Sequence, residues 1–234
     1  MGPWRRLTSV LLLCATLLCG AGRALADEQR DLATYRESAE IFAAAAAADR
    51  RSLFDEARAG YARAIARDPD FVEAIVNLAR LEIARGELGA AEEWIERAEG
   101  IRPDYPKVAA TRGLLALARG DLSGALDGLS QAHRLAPQDA ETAVNLGAVL
   151  IQRSRTEEAR KILAALLREQ PDHGEALYNL ALADDLSGRI DAASFGYRRF
   201  LALAALDDPA REGVQRRLEA MAASKVGRRR DDGE

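Results

Sequence analysis

The sequence is poor in the residues that carry most protein chemistry. It contains two cysteines and two histidines, and phenylalanine, tryptophan and tyrosine together make up only 5% of it. No glycine-rich phosphate loop is present, and the few histidines and cysteines do not form a pattern of metal ligands. We therefore expect no catalytic residue, no cofactor and no metal site.

The amino terminus has the pattern of a secretory signal peptide over residues 1–26. Arg5 and Arg6 precede an uncharged, largely apolar stretch over residues 7–22, and Ala26 ends a small-residue motif before acidic Asp27. The apolar stretch is shorter than the roughly 20 residues that span a bilayer. We expect cleavage near Ala26 and no transmembrane span in the mature protein.

Cys14 and Cys19 are the two cysteines, and cleavage after Ala26 removes both. The mature chain therefore needs no disulfide and has no thiol chemistry. The alternative is lipid attachment at Cys19, as in bacterial lipoproteins. Leu18 precedes that cysteine, whereas such signals have a small residue there, so we favour cleavage.

After cleavage, the chain also has fewer basic than acidic residues. The signal peptide carries three arginines and no acid, which leaves 30 basic against 37 acidic residues and a net charge of −7. A chain of this charge is a poor binder of nucleic acid or of anionic membranes. We expect no nucleic-acid partner.

Prolines recur at a near-constant interval. Pro69, Pro103, Pro137 and Pro171 are spaced by 34 residues, and Pro209 follows after 38. Because proline stops a helix, this interval indicates one structural unit that is repeated along the chain. Alanine, the best helix former, is abundant, so the pattern favours an all-α protein.

Aligned from residue 38, the units have constant columns of small and apolar residues. Position 8 is always alanine or glycine, position 20 is always alanine, and positions 24 and 27 are apolar. Positions 20, 24 and 27 share one face of a second helix, which we expect to form the core. Small residues belong where two helices cross.

Helix ends are also marked in the units. Position 15 is glycine or serine, as expected just past a helix end, at Ser52, Gly86, Gly120, Ser154 and Gly188. Asp70 with Glu73 and Asp172 with Glu175 have the spacing of capping boxes. The last unit carries four extra residues before Pro209, which we expect to lengthen its second helix.

These columns, with Asn77-Leu78-Ala79, Asn145-Leu146-Gly147 and Asn179-Leu180-Ala181, resemble the tetratricopeptide repeat family over roughly residues 38–211. The resemblance implies a right-handed α-solenoid of about five antiparallel helix pairs, a TPR superhelix, with a C-terminal capping helix. The expected segments are an N-terminal helical extension over 27–37, repeats over 38–71, 72–105, 106–139, 140–173 and 174–207, a capping helix over 208–223 and a disordered charged tail over 224–234.

The side chains that could do acid–base chemistry are few. His133 falls in the second helix of the third unit, and His173 lies beside the turn after Pro171, about one repeat away. We interpret both as structural residues rather than as an acid–base pair or metal ligands. Asp184 and Asp185 are expected near the concave side, without a catalytic role.

The family resemblance implies a partner-binding groove on the concave side of the first helices. An asparagine amide can both donate to and accept from a peptide backbone, so Asn77, Asn145 and Asn179 could form a backbone clamp. The alternative is that these asparagines bond across adjacent repeats. The predicted groove residues are Asn77, Arg80, Lys107, Leu114, Asn145, Tyr178, Asn179 and Leu182.

The resulting hypothesis is a non-catalytic scaffold or adaptor for protein–protein interaction that binds a peptide or helix in its concave groove. We expect a periplasmic or secreted protein that supports assembly of a cell-envelope complex, with a eukaryotic secretory lumen left open. One alternative is a regulatory subunit of an envelope enzyme. Another is an enzyme in its own right, which the residues disfavour, and a small-molecule substrate is not expected.

Overall fold

A computed structural model describes Thr34 and residues 36–47 and 53–231 of the chain. Every regular element in these described residues is an α-helix, which confirms the all-α prediction. The predicted signal peptide, most of the predicted helical extension, the predicted turn residue Ser52 and residues 232–234 lie outside them. The described residues up to Arg85 form one compact unit, and those from Gly86 onward form a second.

The first unit contains α1 over residues 36–47, α2 (Phe54–Arg67) and α3 (Val72–Arg85). The backbones approach closely at Gly60 of α2, where an added Cβ would lie 2.6 Å from the Cβ of Ala45. The Phe42 ring packs 5.8 Å from that of Tyr61 and 5.2 Å from that of Phe71, measured between ring centroids. These contacts form the core of the first unit.

The second unit is a series of helices in which each packs against the next. Each first helix of a repeat therefore contacts the second helices before and after it, which is the arrangement of an α-solenoid. The repeats over 106–139, 140–173 and 174–207 begin with a helix at the predicted residue. The helices are α4 (Leu88–Ile101), α5 (Pro106–Ala118), α6 (Leu122–Leu135), α7 (Ala140–Gln152), α8 (Thr156–Glu169), α9 (Gly174–Leu186), α10 (Ile190–Leu203) and α11 (Ala210–Asp231).

The apolar columns form the core as predicted. Position 20 is an alanine with no exposed surface in all five repeats, and positions 24 and 27 are buried in all of them. In the second unit, Leu129 and Leu163 lie at the centre of one cluster that runs from α6 to α9. Tyr197 and Phe200 anchor another cluster between α9, α10 and α11.

Helices α5 and α6 touch through glycine. A Cβ added at Gly128 would lie 2.7 Å from the backbone nitrogen of Gly113 and 2.9 Å from the carbonyl oxygen of Ala109. Gly128 occupies position 23 of its repeat, opposite position 8. The same approach recurs at Gly196, where a Cβ would lie 2.9 Å from that of Ala181. Sequence reasoning predicted the small residues at position 8 but missed the glycines at position 23 of three repeats, Gly60, Gly128 and Gly196, where the other two carry Trp94 and Ile162.

The turns between paired helices that the structure describes have the expected left-handed residue. The backbone φ is 75° at Gly120 and 73° at Gly188, values that glycine adopts without steric cost. Ser154 has the same conformation with φ 59°, which is strained for a residue with a Cβ.

The predicted capping boxes are wrong. Helix α3 begins at Val72, so Asp70 lies one residue too early to cap it. Helix α9 is capped by His173, whose Nδ1 accepts a hydrogen bond of 3.4 Å from the backbone nitrogen of Ala176. Asp172 instead pairs with Arg199 at 3.0 Å. The closing turn is one residue longer than the capping-box spacing assumes.

The C-terminal end also differs from expectation. Helix α10 ends at Leu203 and keeps the 14-residue length of α8, so the extra residues form the connection to α11 rather than a longer helix. Helix α11 packs against α10 through buried Val214 and Met221. It continues to Asp231, beyond the predicted end at residue 223, because no proline follows Pro209 to stop it.

Two buried acids are neutralised by an arginine of the preceding repeat. Glu82 of α3, 2% exposed, lies 2.7 Å from Arg58 of α2. Asp184 of α9, with 8% of its side chain exposed, lies 2.5 Å from Arg160 of α8. The acids share position 11, and the arginines share position 21. Loss of one partner of a fully buried ion pair costs about 3–5 kcal/mol, and the cost is smaller here because Arg58 is 57% exposed and Asp184 also lies 3.7 Å from Arg189.

In the part of the chain that the structure describes, the helices are too short or too polar to cross a lipid bilayer.

The contact between α5 and α6 yields a stability prediction. Because the atoms facing Gly128 are backbone atoms that cannot move aside, Gly128→Ala should lower the free energy of unfolding by about 1–3 kcal/mol. Urea denaturation followed by circular dichroism measures the change.

Gly100→Ala is the matched control. Gly100 lies in α4 with no atom within 4 Å of the added Cβ, so the change should be neutral or stabilise by about 0.5 kcal/mol. Equal effects of the two substitutions would contradict the close approach of α5 and α6.

Candidate functional site

Two of the predicted groove residues, Asn77 and Arg80, lie on α3 of the first unit, and both are half-buried. The amide nitrogen of Asn77 donates a hydrogen bond of 3.4 Å to the hydroxyl of Tyr61. Tyr61 occupies position 24 of the preceding repeat and is fully buried. At Asn77, the interpretation as a bond between adjacent repeats is therefore the one that the structure supports.

The other two asparagines, Asn145 of α7 and Asn179 of α9, have a different environment. At position 24, the preceding repeats carry Leu129 and Leu163 instead of a tyrosine. A leucine offers no polar atom, and neither asparagine amide has a hydrogen-bond partner within the described residues. Both are half-buried, and their helices are in contact. They are thus free to bond to a bound chain.

Tyr178 and Leu182 flank Asn179 on α9, and both are half-buried. The Tyr178 ring centroid lies 6.2 Å from that of Tyr197 and 5.4 Å from that of Phe200. This packing holds the Tyr178 ring in place beside the amide. We call Asn145, Tyr178, Asn179 and Leu182 the amide surface.

The remaining predicted groove residues, Lys107 and Leu114, lie on α5, one repeat earlier. Lys107 is exposed and Leu114 is half-buried. Thr111 between them is 1% exposed, and its hydroxyl donates to the carbonyl oxygen of Lys107 at 2.7 Å. Thr111 therefore cannot line a groove.

Asp185 closes one end of the amide surface. Its carboxylate accepts hydrogen bonds from Arg217 of α11, from Nε at 2.6 Å and from Nη2 at 2.5 Å. Burial, followed by the negative charge of Asp185, raises the pKa of the Tyr197 phenol. The carboxylate is thus fixed and neutralised, which suits a structural role rather than proton transfer.

The prediction that Asp184 lies near the concave side is wrong. Asp184 falls on a different face of α9 from Asn179 and Leu182, because adjacent residues on a helix differ by about 100°. There it pairs with Arg160 and Arg189. The ion pair between Asp184 and Arg160 helps to hold α8 against α9.

A profile of the tetratricopeptide repeat matches residues 50–115 and 116–182, which is more than half of the chain. The chain belongs to the tetratricopeptide repeat family. None of the curated proteins is detectably similar to it in sequence.

Solved TPR structures have a similar fold. A thermophilic TPR protein of Thermus thermophilus shares 22% identity with a TM-score of 0.63, over 80% of this chain and 99% of that chain. PilW, a type IV pilus biogenesis factor, shares 18% with a TM-score of 0.65, over 80% and 91%. YrrB, a TPR protein with an unusual peptide-binding site, shares 18% with a TM-score of 0.56, over 75% and 90%. At these identities the likeness concerns the fold alone.

The described residues of this TPR chain hold no group of three or more histidine, cysteine or acidic side chains that could bind a metal ion. His173 is the cap of α9, as described above. His133 is half-buried on α6, and its burial lowers its pKa, partly opposed by the negative charge of Asp139. The two histidines belong to different helix ends and do not form a pair.

His133 predicts a pH dependence of stability. The unfolded chain takes up a proton near the ordinary pKa of histidine, but the folded chain does so only at lower pH. The free energy of unfolding should therefore fall as the pH drops from about 7.5 to about 5.5, and His133→Gln should reduce that fall. Urea denaturation at both pH values measures it.

Gln131→Ala, at a half-buried neighbour on the same helix that does not titrate, is the control and should leave the fall unchanged. If His133→Gln also leaves it unchanged, the histidine does not contribute to the pH dependence.

Proposed function

We propose that the protein is a non-catalytic interaction scaffold that binds an extended or helical peptide segment of a partner protein on the amide surface. The TPR fold supports binding of a protein or peptide in general. The observation that carries the more specific proposal is the pair Asn145 and Asn179, whose amides have no hydrogen-bond partner within the described residues.

The two asparagines suit recognition of a peptide backbone. Each amide offers a donor and an acceptor, and the two recur at the same position of consecutive repeats on helices that touch. A bound chain would supply the hydrogen bonds that Leu129 and Leu163 cannot. Tyr178 and Leu182 supply apolar area beside the amides. Contacts to a peptide backbone do not depend on its sequence, so the neighbouring side chains would determine which sequences bind.

The rigid setting of these residues favours binding without a large change of shape. The Tyr178 ring is packed against Tyr197 and Phe200, and Asp185 is held by Arg217. Side chains that are already ordered lose little conformational entropy when a partner binds.

We further propose that the protein is exported and acts in the cell envelope, in assembly of a multi-protein complex. The signal-peptide pattern over residues 1–26 supports export, and the envelope assignment rests on that pattern and on the missing disulfides. PilW, whose fold is similar, is a pilus biogenesis factor. We expect the partner to be a structural component rather than an envelope enzyme. Affinity capture of the native protein identifies it.

The amide surface makes a binding prediction. The double variant Asn145→Ala, Asn179→Ala should bind the captured partner at least about tenfold more weakly, since each truncation leaves polar groups of the partner's backbone unpaired. Tyr178→Ala should also weaken binding. Isothermal titration with the purified partner measures the dissociation constants.

Gln138→Ala removes an exposed amide from the turn before α7 and should leave affinity unchanged. Circular dichroism confirms that each variant is folded. Undiminished binding by the folded double variant would exclude the amide surface as the binding site.

Export makes a separate prediction about the mature amino terminus. The protein purified from its native host should begin at Asp27, because cleavage follows Ala26. Intact-mass spectrometry with amino-terminal peptide sequencing measures this. A chain that begins at lipid-modified Cys19 would show a lipoprotein, and a chain that retains Met1 would show that no signal peptidase acts on it.

A further inference from the structure

A pocket of about 280 Å³ opens between α8, α9 and α10, away from the amide surface. Its α9 residues include Leu180 and Asp184, which lie on a different face of that helix from Asn179 and Leu182. We call this the outer pocket. The lining residues that matter are Leu167, Arg168, Leu180, Phe195, Gly196 and Arg199.

Phe195 breaks the repeat pattern at a position that always faces solvent. It is position 22 of its repeat and is 66% exposed. The equivalent residues of the other four repeats are also exposed, and they are small or charged: Ala59, Glu93, Asp127 and Lys161. A single exposed ring is not unusual on a protein surface, so its relevance comes from the partly apolar pocket that it lines.

Small residues of α10 create the space beside this ring. Ala192 and Gly196 line the pocket, whereas the equivalent positions of α8 carry Glu158 and Ile162. The close approach of Gly196 to Ala181 keeps α10 near α9, so the hollow lies at the surface above that contact. Half-buried Leu167 and Leu180 supply further apolar lining.

The pocket is small. At about 280 Å³ it is at the lower limit of sites for cofactors and drug-sized ligands, which measure about 300–1,000 Å³. Anchor side chains of protein partners occupy such small, partly apolar pockets and contribute most of the binding energy.

The charge at the rim is positive. Arg199 donates to the carbonyl oxygen of Pro171 at 2.6 Å and pairs with Asp172 at 3.0 Å. Exposed Arg168 has no ion-pair partner among the described residues. The acid in the lining, Asp184, is already neutralised by Arg160. The uncompensated charge at this site is therefore cationic and complements a carboxylate.

We propose that the outer pocket is a second docking site, which takes a peptide segment carrying a bulky apolar side chain beside a carboxylate. The apolar side chain packs on Phe195, Leu167 and Leu180, and the carboxylate pairs with Arg168. This site is separate from the amide surface. The scaffold can thus hold two partner segments at once.

The test uses acetylated, amidated decapeptides in which one leucine or phenylalanine stands between two aspartates, titrated into the purified protein. In amide-resolved NMR spectra, the signals of Phe195, Gly196 and Leu180 should shift. Phe195→Ala, which restores the kind of residue found at Ala59, should weaken binding about tenfold. Because Phe195 is exposed, this change leaves the fold intact.

Arg168→Glu should also weaken binding of the aspartate peptide. The same peptide with asparagine in place of aspartate should bind the wild type weakly, and Arg168→Glu should change its affinity little. Lys161→Ala is the control at the equivalent position of the preceding repeat. The amide-surface variant Asn145→Ala, Asn179→Ala should leave these affinities unchanged, so failure of the proposed function does not affect this result.

Three outcomes would overturn the proposal. The peptides could leave the wild-type spectrum unchanged, they could shift Asn145 and Tyr178 instead of the pocket residues, or Phe195→Ala could bind them as well as the wild type. Sedimentation velocity adds a fourth, since concentration-dependent dimers that Phe195→Ala abolishes would show that a second copy covers the ring.

Discussion

The structure depends on how closely the paired helices approach each other. At Gly128 and Gly196 the opposite helix lies where a Cβ would stand, and the alanines of position 20 have no exposed surface. Larger side chains at these positions would push the helices apart and open the apolar columns at positions 24 and 27. Because the packing is confined to a few fixed positions, the other faces of the helices are free to vary, and both proposed binding surfaces lie there apart from Gly196.

The two surfaces use one helix in two ways. Helix α9 presents Asn179 and Leu182 on one face and Leu180 with Asp184 on another, so a single rigid element contributes to both. The amide surface offers unsatisfied hydrogen-bonding groups, which suit a backbone. The outer pocket offers a ring and a cation, which suit particular side chains. The amide surface would therefore accept many extended segments, whereas the outer pocket would accept a narrower set.

Much of the fold follows from the sequence alone. The proline interval gave the starts of α5, α7 and α9, and the alanine and apolar columns identified the core, because both features report contacts that recur in every repeat. What differs between repeats was not predictable in this way. Whether an asparagine side chain has a hydrogen-bond partner depends on the residue at position 24 of the preceding repeat. This residue is Tyr61 for Asn77 but a leucine for Asn145. The His173 cap and the length of α11 depend on local geometry, and the outer pocket arises only where Phe195 and Gly196 meet α8 and α9.

The paired charges at positions 21 and 11 have a consequence for the history of the array. Arg58 meets Glu82 and Arg160 meets Asp184, whereas between the third and fourth repeats the same two places hold Leu126 and Leu150 in one apolar cluster. The junctions are therefore not equivalent: two carry an ion pair, one carries two leucines, and Glu92 and Ala116 occupy these places between the second and third repeats. A recombination event that removed the fourth repeat would set Asp184 against Leu126 and remove its ion pair with Arg160, which leaves the more distant Arg189 as its partner. Repeats that share the same alanine positions thus differ in the charges at their junctions, so removing or inserting a repeat would change which charges meet.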